Sequence, residues 1–182
     1  MPSIRRIRRR FTSERQDALR GADFCGFDNY GWDGPIHINN YKYLGKKDFL
    51  LASHTDKSKL KHTPGDCLWD RTQRKRIKIY MLEVTNDEKH FLYCKMIWYL
   101  DLETWQILYS DRYDRHGKLW KVLDQLGFVT TAYKGVNVDY FAGNQMIDVQ
   151  RTHSTIAITD FAFGIPLDQN MFSLQFLQKH GY

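Results

Sequence analysis

The sequence predicts a mainly β protein: a curved antiparallel sheet with a short helix near the C-terminus. First, runs of β-branched and aromatic residues recur between turn signals about every 10–12 residues, which is typical of an antiparallel meander. Second, aromatic residues make up 15% of the chain, which favours sheets and lined cavities over helical bundles. Third, the middle strands are apolar on both faces, so both faces must be covered. A sheet that bends around an apolar interior satisfies this requirement.

The individual elements follow from these alternating runs. Strands are expected over residues 41–51, 76–85, 90–100 and 105–113 and from 118 onward, followed by a hairpin of 136–141 with 146–149 and a short strand over 155–159. Gly45 interrupts the first strand and indicates a β-bulge. Near the end of the chain, Ser173 is the expected cap of a short helix, and Gly181 lies beyond the end of that helix.

The whole chain, residues 1–182, is expected to form one domain, because this length suits a single β-rich unit. Within it, residues 1–40 are predicted to be an irregular basic and aromatic covering segment, 41–160 the meander, and 161–182 a tail with the short helix. Four aromatic residues of the first part indicate that it packs onto something: Phe24, Phe27, Tyr30 and Trp32.

Composition bounds the class of protein. Hydrophobic residues are 42% and charged residues 26%, which is typical of a globular chain, and no apolar run approaches the ~20 residues of a membrane-spanning helix. The net charge of +6 allows nucleic acid, anionic lipid or an acidic polymer as a partner without choosing among them. Three scattered cysteines make no disulfide framework or zinc motif, although one disulfide stays open, and Cys94 is expected to be a buried small hydrophobe.

The N-terminus carries five arginines in its first ten residues but no apolar core after them, so no signal peptide is expected in the chain as given. A solvated basic arm, an arm that touches lipid or RNA, and a buried strand with paired arginines are the alternatives. Four of these side chains are candidates for contact with anionic head groups and thus for peripheral membrane contact: Arg5, Arg6, Arg8 and Arg9.

The motifs give no support for an enzyme. There is no glycine-rich phosphate loop and no nucleophile elbow, and the seven histidines are dispersed, so no catalytic residue, metal site or cofactor is predicted. Asp111 and Asp114 flank Tyr113, and the expected roles are a salt-bridged Asp111 and a turn-capping Asp114. In a strand, Arg112 points away from the face that Asp111 and Tyr113 share.

An unfilled interior of a curved sheet can hold a ligand, whereas a filled one is simply a packed core. The candidate lining residues of such a cavity are chosen by aromatic bulk and strand parity, with the inward face left open: Met96, Trp98, Trp105, Ile107, Tyr109 and Trp120. A basic run, comprising Arg71, Arg74, Lys75 and Arg76, allows single-strand nucleic-acid binding as a lesser alternative. No known nucleic-acid-binding signature accompanies that run, so no nucleic acid is expected as a partner.

Several blocks in order resemble the C-terminal part of a Gram-negative envelope family known as domain of unknown function 1329. The blocks are Arg5–Arg9, Tyr43–Lys47, Trp98–Asp101, Thr104–Leu108, Asp111–Asp114, Gly117–Trp120 and Met171–Ser173 with Leu177 and Gly181. The resemblance covers residues 4–182, and its middle blocks are the most specific. It implies a fold similar to the LolA and LolB lipoprotein carriers, a half-barrel sheet with an apolar cavity plugged by helices. It also implies export to the periplasm or outer membrane and a description as outer membrane lipoprotein-sorting-like, and it carries no catalytic residues.

Members of that family are usually more than twice as long, with a signal peptide and an N-terminal half that supplies further strands. This chain therefore resembles an incomplete half-barrel, whose sheet edge must be covered or paired. The function predicted from these observations is non-catalytic binding or carriage of a hydrophobic, lipid-like ligand at the bacterial cell envelope. The main alternative is a structural or assembly module whose sheet edge pairs with an envelope partner protein.

Overall fold

The computed structural model describes residues 15–18, 21–52, 74–125, 128–141, 143–159 and 161–180. These residues form nine strands and one short α-helix: β1 (Asn39–Leu51), β2 (Lys75–Asn86), β3 (Lys95–Asp101), β4 (Ile107–Tyr113), β5 (Leu119–Gln125), β6 (Phe128–Tyr133), β7 (Val136–Phe141), β8 (Gly143–Asp148), β9 (His153–Ile158) and α1 (Leu174–His180). The prediction of a mainly β fold with a short C-terminal helix is confirmed.

Seven of these strands form one open antiparallel sheet in the order β1-β2-β3-β4-β5-β8-β9, and β6 pairs only with β7. The predicted pairing of 136–141 with 146–149 is wrong, because β7 folds back on β6 and β8 joins β5 and β9. The turn between β6 and β7 is Lys134-Gly135, with φ angles of 50° and 79°. Two consecutive residues with positive φ are the geometry of a tight type I′ hairpin turn, which matches the twist of the flanking strands.

The sheet is strongly curved, because the β1–β2 hairpin runs past the end of β3 and bends back over one face. In a flat sheet, Phe49 on β1 and Tyr109 on β4 would lie about 20 Å apart. Their ring centroids are instead 5.6 Å apart, and the Phe49 ring is 4.8 Å from that of Tyr99 on β3. Arg74, the residue just before β2, likewise reaches Asp124 on β5 and forms an ion pair with it. The face that carries these residues is therefore concave.

A β-bulge in β1 accompanies this bend. The register with β2 shifts between Tyr43 and Gly45, so Leu44 is the extra residue, and Gly45 has a φ of 111°. The bulge predicted at Gly45 is confirmed. A positive φ of this size is accessible to glycine, whereas a residue with a Cβ would be strained there.

The convex face is covered by residues 21–38, named here the covering segment. It contains two short 3-10 turns, Gly26–Gly31 and Ile36–Ile38. Phe27 and Trp32 of this segment pack against a buried cluster of the sheet and its loops, comprising Val84, Phe91, Tyr93, Met96, Trp98 and Ile107. Nearer β8, Phe24 packs with Leu123 and Met146. Apolar contacts along much of its length thus hold the covering segment on the sheet.

The tail ends in α1, which is capped as expected: the Ser173 hydroxyl accepts a hydrogen bond from the Phe176 amide at 3.2 Å. None of the described helices is long and apolar enough to cross a bilayer.

The start of β3 differs from the prediction. The strand begins at Lys95 and not near residue 90, so Phe91 and Tyr93 lie in an irregular stretch and pack into the same cluster as Met96. Cys94, which was expected to be buried, is exposed for the same reason: it precedes the strand and faces away from that cluster.

Candidate functional site

The concave face of the sheet is the candidate ligand site, and we call it the trough. Its floor consists of buried side chains, namely Leu51, Ile79, Ile97, Tyr99 and Leu108. Around this floor lie apolar side chains that remain partly accessible: Phe49, Ile77, Met81, Tyr109, Tyr113 and Phe141. An apolar concave surface with partly exposed aromatic groups can bury the chain of a lipid-like molecule.

Two carboxylates interrupt the apolar surface of the trough, and the first is Asp111. The Tyr99 hydroxyl donates a 2.7 Å hydrogen bond to Asp111 Oδ2, and Tyr113 lies on the same face of β4. Burial raises the pKa of Asp111, and the hydrogen bond from Tyr99 opposes that rise. Asp111 was expected to form a salt bridge, but it forms none with the residues described here. Its hydrogen-bond partner is instead the hydroxyl of Tyr99 on the neighbouring strand, which the alternation along β4 alone could not reveal.

A second carboxylate closes the trough toward β5. Asp124 Oδ2 pairs with the Arg74 guanidinium, while its Oδ1 is buried without a hydrogen-bond partner among the described residues. Burial raises the pKa of Asp124, and the charge of Arg74 pulls it back down. Arg76, from the same basic run, pairs with Asp48 at 2.6 Å. Two cations of the run proposed for nucleic acid are thus engaged by carboxylates, and Arg71 lies outside the described residues.

A buried ionic cluster attaches the covering segment to the convex face. The guanidinium of Arg112 on β4 pairs with the Asp28 carboxylate, and both side chains are 0% exposed. The second terminal nitrogen of Arg112 donates a 2.8 Å hydrogen bond to the carbonyl of Gly31. Tyr93 donates its hydroxyl proton to Asp28, and the Cys25 amide donates to the same carboxylate at 2.7 Å. Arg112 therefore points away from the trough, as strand parity predicted.

Two groups in and beside this cluster have raised pKa values. Burial, reinforced by the negative charge of Asp28, raises the pKa of the Cys25 thiol to about 12. Burial likewise raises the pKa of the Tyr93 hydroxyl well above its ordinary value. Both groups stay protonated at neutral pH, so this cluster is suited to holding the covering segment in place and not to nucleophilic chemistry.

A second polar anchor lies near the start of the covering segment. Asp23 Oδ2 contacts His153 Nδ1 and the Thr155 hydroxyl, both at 2.7 Å. The buried Lys121 ammonium donates to the Asp23 carbonyl at 2.6 Å and lies 4.5 Å from the centroid of the Trp120 ring. Asp23, Trp120, Lys121 and His153 border a cleft of about 650 Å³ that is open on one side.

The six predicted lining residues do not line one cavity. Met96, Trp98 and Ile107 are buried in the cluster beneath the covering segment, and Trp120 packs at its margin. Of the six, Tyr109 alone lies in the trough, because β4 has an extra residue at Leu108 that puts Ile107 and Tyr109 on opposite faces. The sixth, Trp105, is 65% exposed in the turn before β4.

The remaining predicted residues fall in two groups. Asp114 caps its turn as expected, since its Oδ1 accepts from the amides of His116 and Lys118, each at 2.9 Å. The four head-group candidates, Arg5, Arg6, Arg8 and Arg9, lie outside the described residues. No group of three or more potential metal ligands occurs in the described ranges.

Sequence reasoning missed Asp28, Asp124 and the β1–β2 side of the trough. A carboxylate inside the glycine-rich stretch 21–34 carried no signal beyond turn formation. The contribution of Phe49 had one available signal: it alternates with Leu51 after a glycine that marks a bulge.

An open, curved antiparallel sheet with a short C-terminal helix defines the LolA-like class of fold. Similar structures include an outer membrane lipoprotein-sorting protein domain from Vibrio parahaemolyticus (TM-score 0.65, 20% identity) and the LolA superfamily protein NE2245 from Nitrosomonas europaea (TM-score 0.52, 15% identity). The match covers 98% and 97% of this chain, and 63% and 66% of those chains. At these identities the likeness concerns the fold.

Residues 1–177 match the family described as Protein of unknown function (DUF1329), and the chain belongs to that family. A DUF1329 structure from Desulfovibrio piger has a TM-score of 0.62 and 18% identity, with 98% of this chain and 62% of that chain covered. The uncharacterised protein PA3922 from Pseudomonas aeruginosa is 30% identical over 117 residues, which span 59% of this chain and 25% of PA3922. The chain thus spans a quarter of that relative and under two thirds of the two structures with the higher TM-scores.

Proposed function

We propose that the protein binds and carries a hydrophobic, lipid-like ligand in the trough, without catalysing a reaction. The observation that supports this most directly is the apolar lining of the concave face. A buried floor is surrounded there by aromatic and aliphatic side chains that stay partly accessible. A lipid-like chain lying on this concave surface could bury them further.

The energy available in such a site is sufficient for binding. Burying one methylene contributes about 0.8 kcal/mol, so an acyl segment of about eight carbons contributes about 6 kcal/mol before the cost of association. Asp111 and Tyr99 would then contact a polar end of the ligand. The names of the similar structures, one of them a lipoprotein-sorting domain, are consistent with carriage at the bacterial cell envelope, which we propose as the location.

Displacement of a fluorescent fatty-acid analogue from the full chain tests the proposal. Met81→Asp places a carboxylate on the trough wall and is expected to weaken probe binding at least tenfold, because the buried charge would have to be desolvated. Met171→Asp is the matched control, since Met171 is 40% exposed outside the trough. Equal affinity of both variants and the unaltered chain, or no probe binding at all, would refute the proposal.

A second candidate function is assembly through the sheet edge. β1 is thirteen residues long and pairs only with β2 among the described strands, which leaves its other side available for a further strand. A partner of this kind would add a strand to β1, and Lys47→Pro would then weaken assembly, measured by size-exclusion chromatography. The location of the accessible apolar groups favours the carrier function over this alternative.

A further inference from the structure

An exposed aromatic patch lies on the convex side of the β1–β2 hairpin. It consists of Tyr43, Tyr80 and Trp105, with Lys46, Arg76 and Lys78 beside them, and we call it the Trp105 patch. Trp105 is 65% and Tyr43 57% exposed. The Trp105 ring stacks on Tyr80 with centroids 5.1 Å apart, and Tyr43 meets Tyr80 edge-on at 6.1 Å.

The turn before β4 holds the Trp105 indole in this exposed position. Asp101 Oδ2 accepts hydrogen bonds from the Thr104 amide and hydroxyl at 2.8 and 2.9 Å, and the Trp105 amide donates to the Asp101 carbonyl. Trp105 has a φ of 61°, a conformation that is unfavourable for a bulky residue. The turn thus displays a large apolar ring to solvent at the cost of backbone strain, which makes this surface a candidate for contact with a partner.

The charge of the patch indicates what it contacts. Lys46 Nζ lies 5.1 Å from the centroid of the Tyr80 ring, and Arg76 and Lys78 both flank Asp48. Three cations thus accompany Asp48 on the hairpin, while the turn that carries Trp105 adds the exposed Glu103 and the buried Asp101, on a chain whose net charge is +6. Tryptophan and tyrosine prefer the boundary between lipid head groups and acyl chains, and lysine and arginine pair with anionic head groups.

We propose that the Trp105 patch docks the protein on the surface of an anionic lipid bilayer. This surface is separate from the trough: Lys46 and Tyr80 pair across β1 and β2 on the convex side, whereas Gly45 and Met81 form the neighbouring pair. Trp105 enters the interface and Lys46 contacts a phosphate group. Arg76 and Lys78, whose side chains are 77% and 72% exposed, share the single carboxylate of Asp48 and so keep a net positive charge toward the head groups. The inference does not depend on the proposed carrier function, although a carrier that docks in this way could exchange a ligand with a membrane.

Co-sedimentation of the full chain with vesicles tests whether the Trp105 patch binds an anionic bilayer. Vesicles of phosphatidylcholine and phosphatidylglycerol are expected to bind the protein, and vesicles of phosphatidylcholine alone to bind it far more weakly. Trp105→Gly is the decisive variant because glycine suits the positive φ, so the fold is kept while the indole is lost. It should bind about tenfold more weakly, and replacing Lys46 and Lys78 by glutamine should lower binding about fivefold for each charge.

Two control variants carry matched changes elsewhere. Phe172→Ala removes a ring that is 72% exposed, and Lys179→Gln removes a cation from the last turn of α1. Both control variants should bind vesicles like the unaltered chain, and so should Met81→Asp. Conversely, Trp105→Gly should keep its affinity for the fatty-acid probe. Unchanged vesicle binding by Trp105→Gly, or equal binding to both vesicle types, would overturn the proposal. Dimer formation that requires Trp105, without any binding to vesicles, would also overturn it.

Discussion

Asp28 and Arg112 form a fully buried ion pair that connects the covering segment to the central strand β4 across 84 positions of sequence. A buried charge without its partner is far more costly than an exposed one, so each of these residues depends on the other. The pair therefore couples the stability of the sheet to the attachment of the covering segment.

Removing one partner should be strongly destabilising. Asp28→Ala is expected to lower the free energy of unfolding by about 3–5 kcal/mol, because the Arg112 guanidinium stays buried without a counter-charge. Asp28→Leu with Arg112→Met should cost much less, since both charges are removed together. Urea denaturation gives the free energy of unfolding of each variant. The control Asp33→Ala breaks a half-exposed pair with Arg15 and should cost under about 1 kcal/mol; a loss as large as that of Asp28→Ala would contradict the argument.

Gly31 should tolerate no side chain. Its φ is 91°, and a Cβ there would lie 2.7 Å from Cβ of Ile107. Gly31→Ala is therefore expected to lower the free energy of unfolding by about 2–4 kcal/mol, from strain and overpacking together. Gly117→Ala is the matched control, because Gly117 also has a positive φ but nothing within 4 Å of an added Cβ. Gly117→Ala should lower the free energy of unfolding by only about 1 kcal/mol. Equal losses in the two variants would show that contact with Ile107 is unimportant.

The two described cysteines should differ sharply in reactivity. Cys94 is exposed, whereas Cys25 is buried and the pKa of its thiol is raised to about 12. Iodoacetamide at pH 8 should label Cys94 and leave Cys25 unmodified in the folded protein, with peptide mass spectrometry as the measurement. In urea both should react, which serves as the control. Rapid labelling of Cys25 without denaturant would mean that the covering segment opens readily.

Stability should fall in alkaline solution. The pKa of Cys25 and of the hydroxyls of Tyr93, Tyr99 and Tyr109 is raised by burial in the folded state. The folded protein then holds protons that the unfolded chain releases, so stability is full below pH 9 and is lost as pH rises above it. Thermal melts from pH 7 to about 11 should show this decline, and Cys25→Ala should delay its onset from the thiol range to that of the tyrosines. A melting temperature that rises above pH 9 would reverse the assigned sign.

Much of the fold could be predicted because the signals are local. The alternation from Arg76 to Thr85 and the turn residues Asp101 and Asp114 placed β2, β4 and their loops within a few positions. The hairpin of β6 with β7 also had a local signal, Lys134-Gly135, which was overlooked. The start of β3 had no local signal. Phe91 and Tyr93 anchor an irregular stretch to the core, and aromatic residues occur in such stretches as they do in strands, so the pattern could not tell the two apart.

The candidate site was harder to predict, because parity along one strand does not say which face is covered. Trp98 and Tyr99 are neighbours of similar bulk, and only the covering segment makes one of them core and leaves the other on the trough floor. The partnership of Arg74 with Asp124 depends on the bend of the whole sheet. Trp105 looked like the first residue of a strand, but the carboxylate of Asp101 places it in a turn.

The extra residue Leu44 has an effect far beyond its own position. The β-bulge accommodates this residue without changing the pairing that follows, so that Phe49 and Leu51 point inward and Lys46 points outward. A β1 strand that kept Leu44 but alternated regularly would instead turn Phe49 and Leu51 to water and Lys46 toward the trough. The apolar wall of the trough and the outward position of Lys46 therefore both depend on this one irregularity.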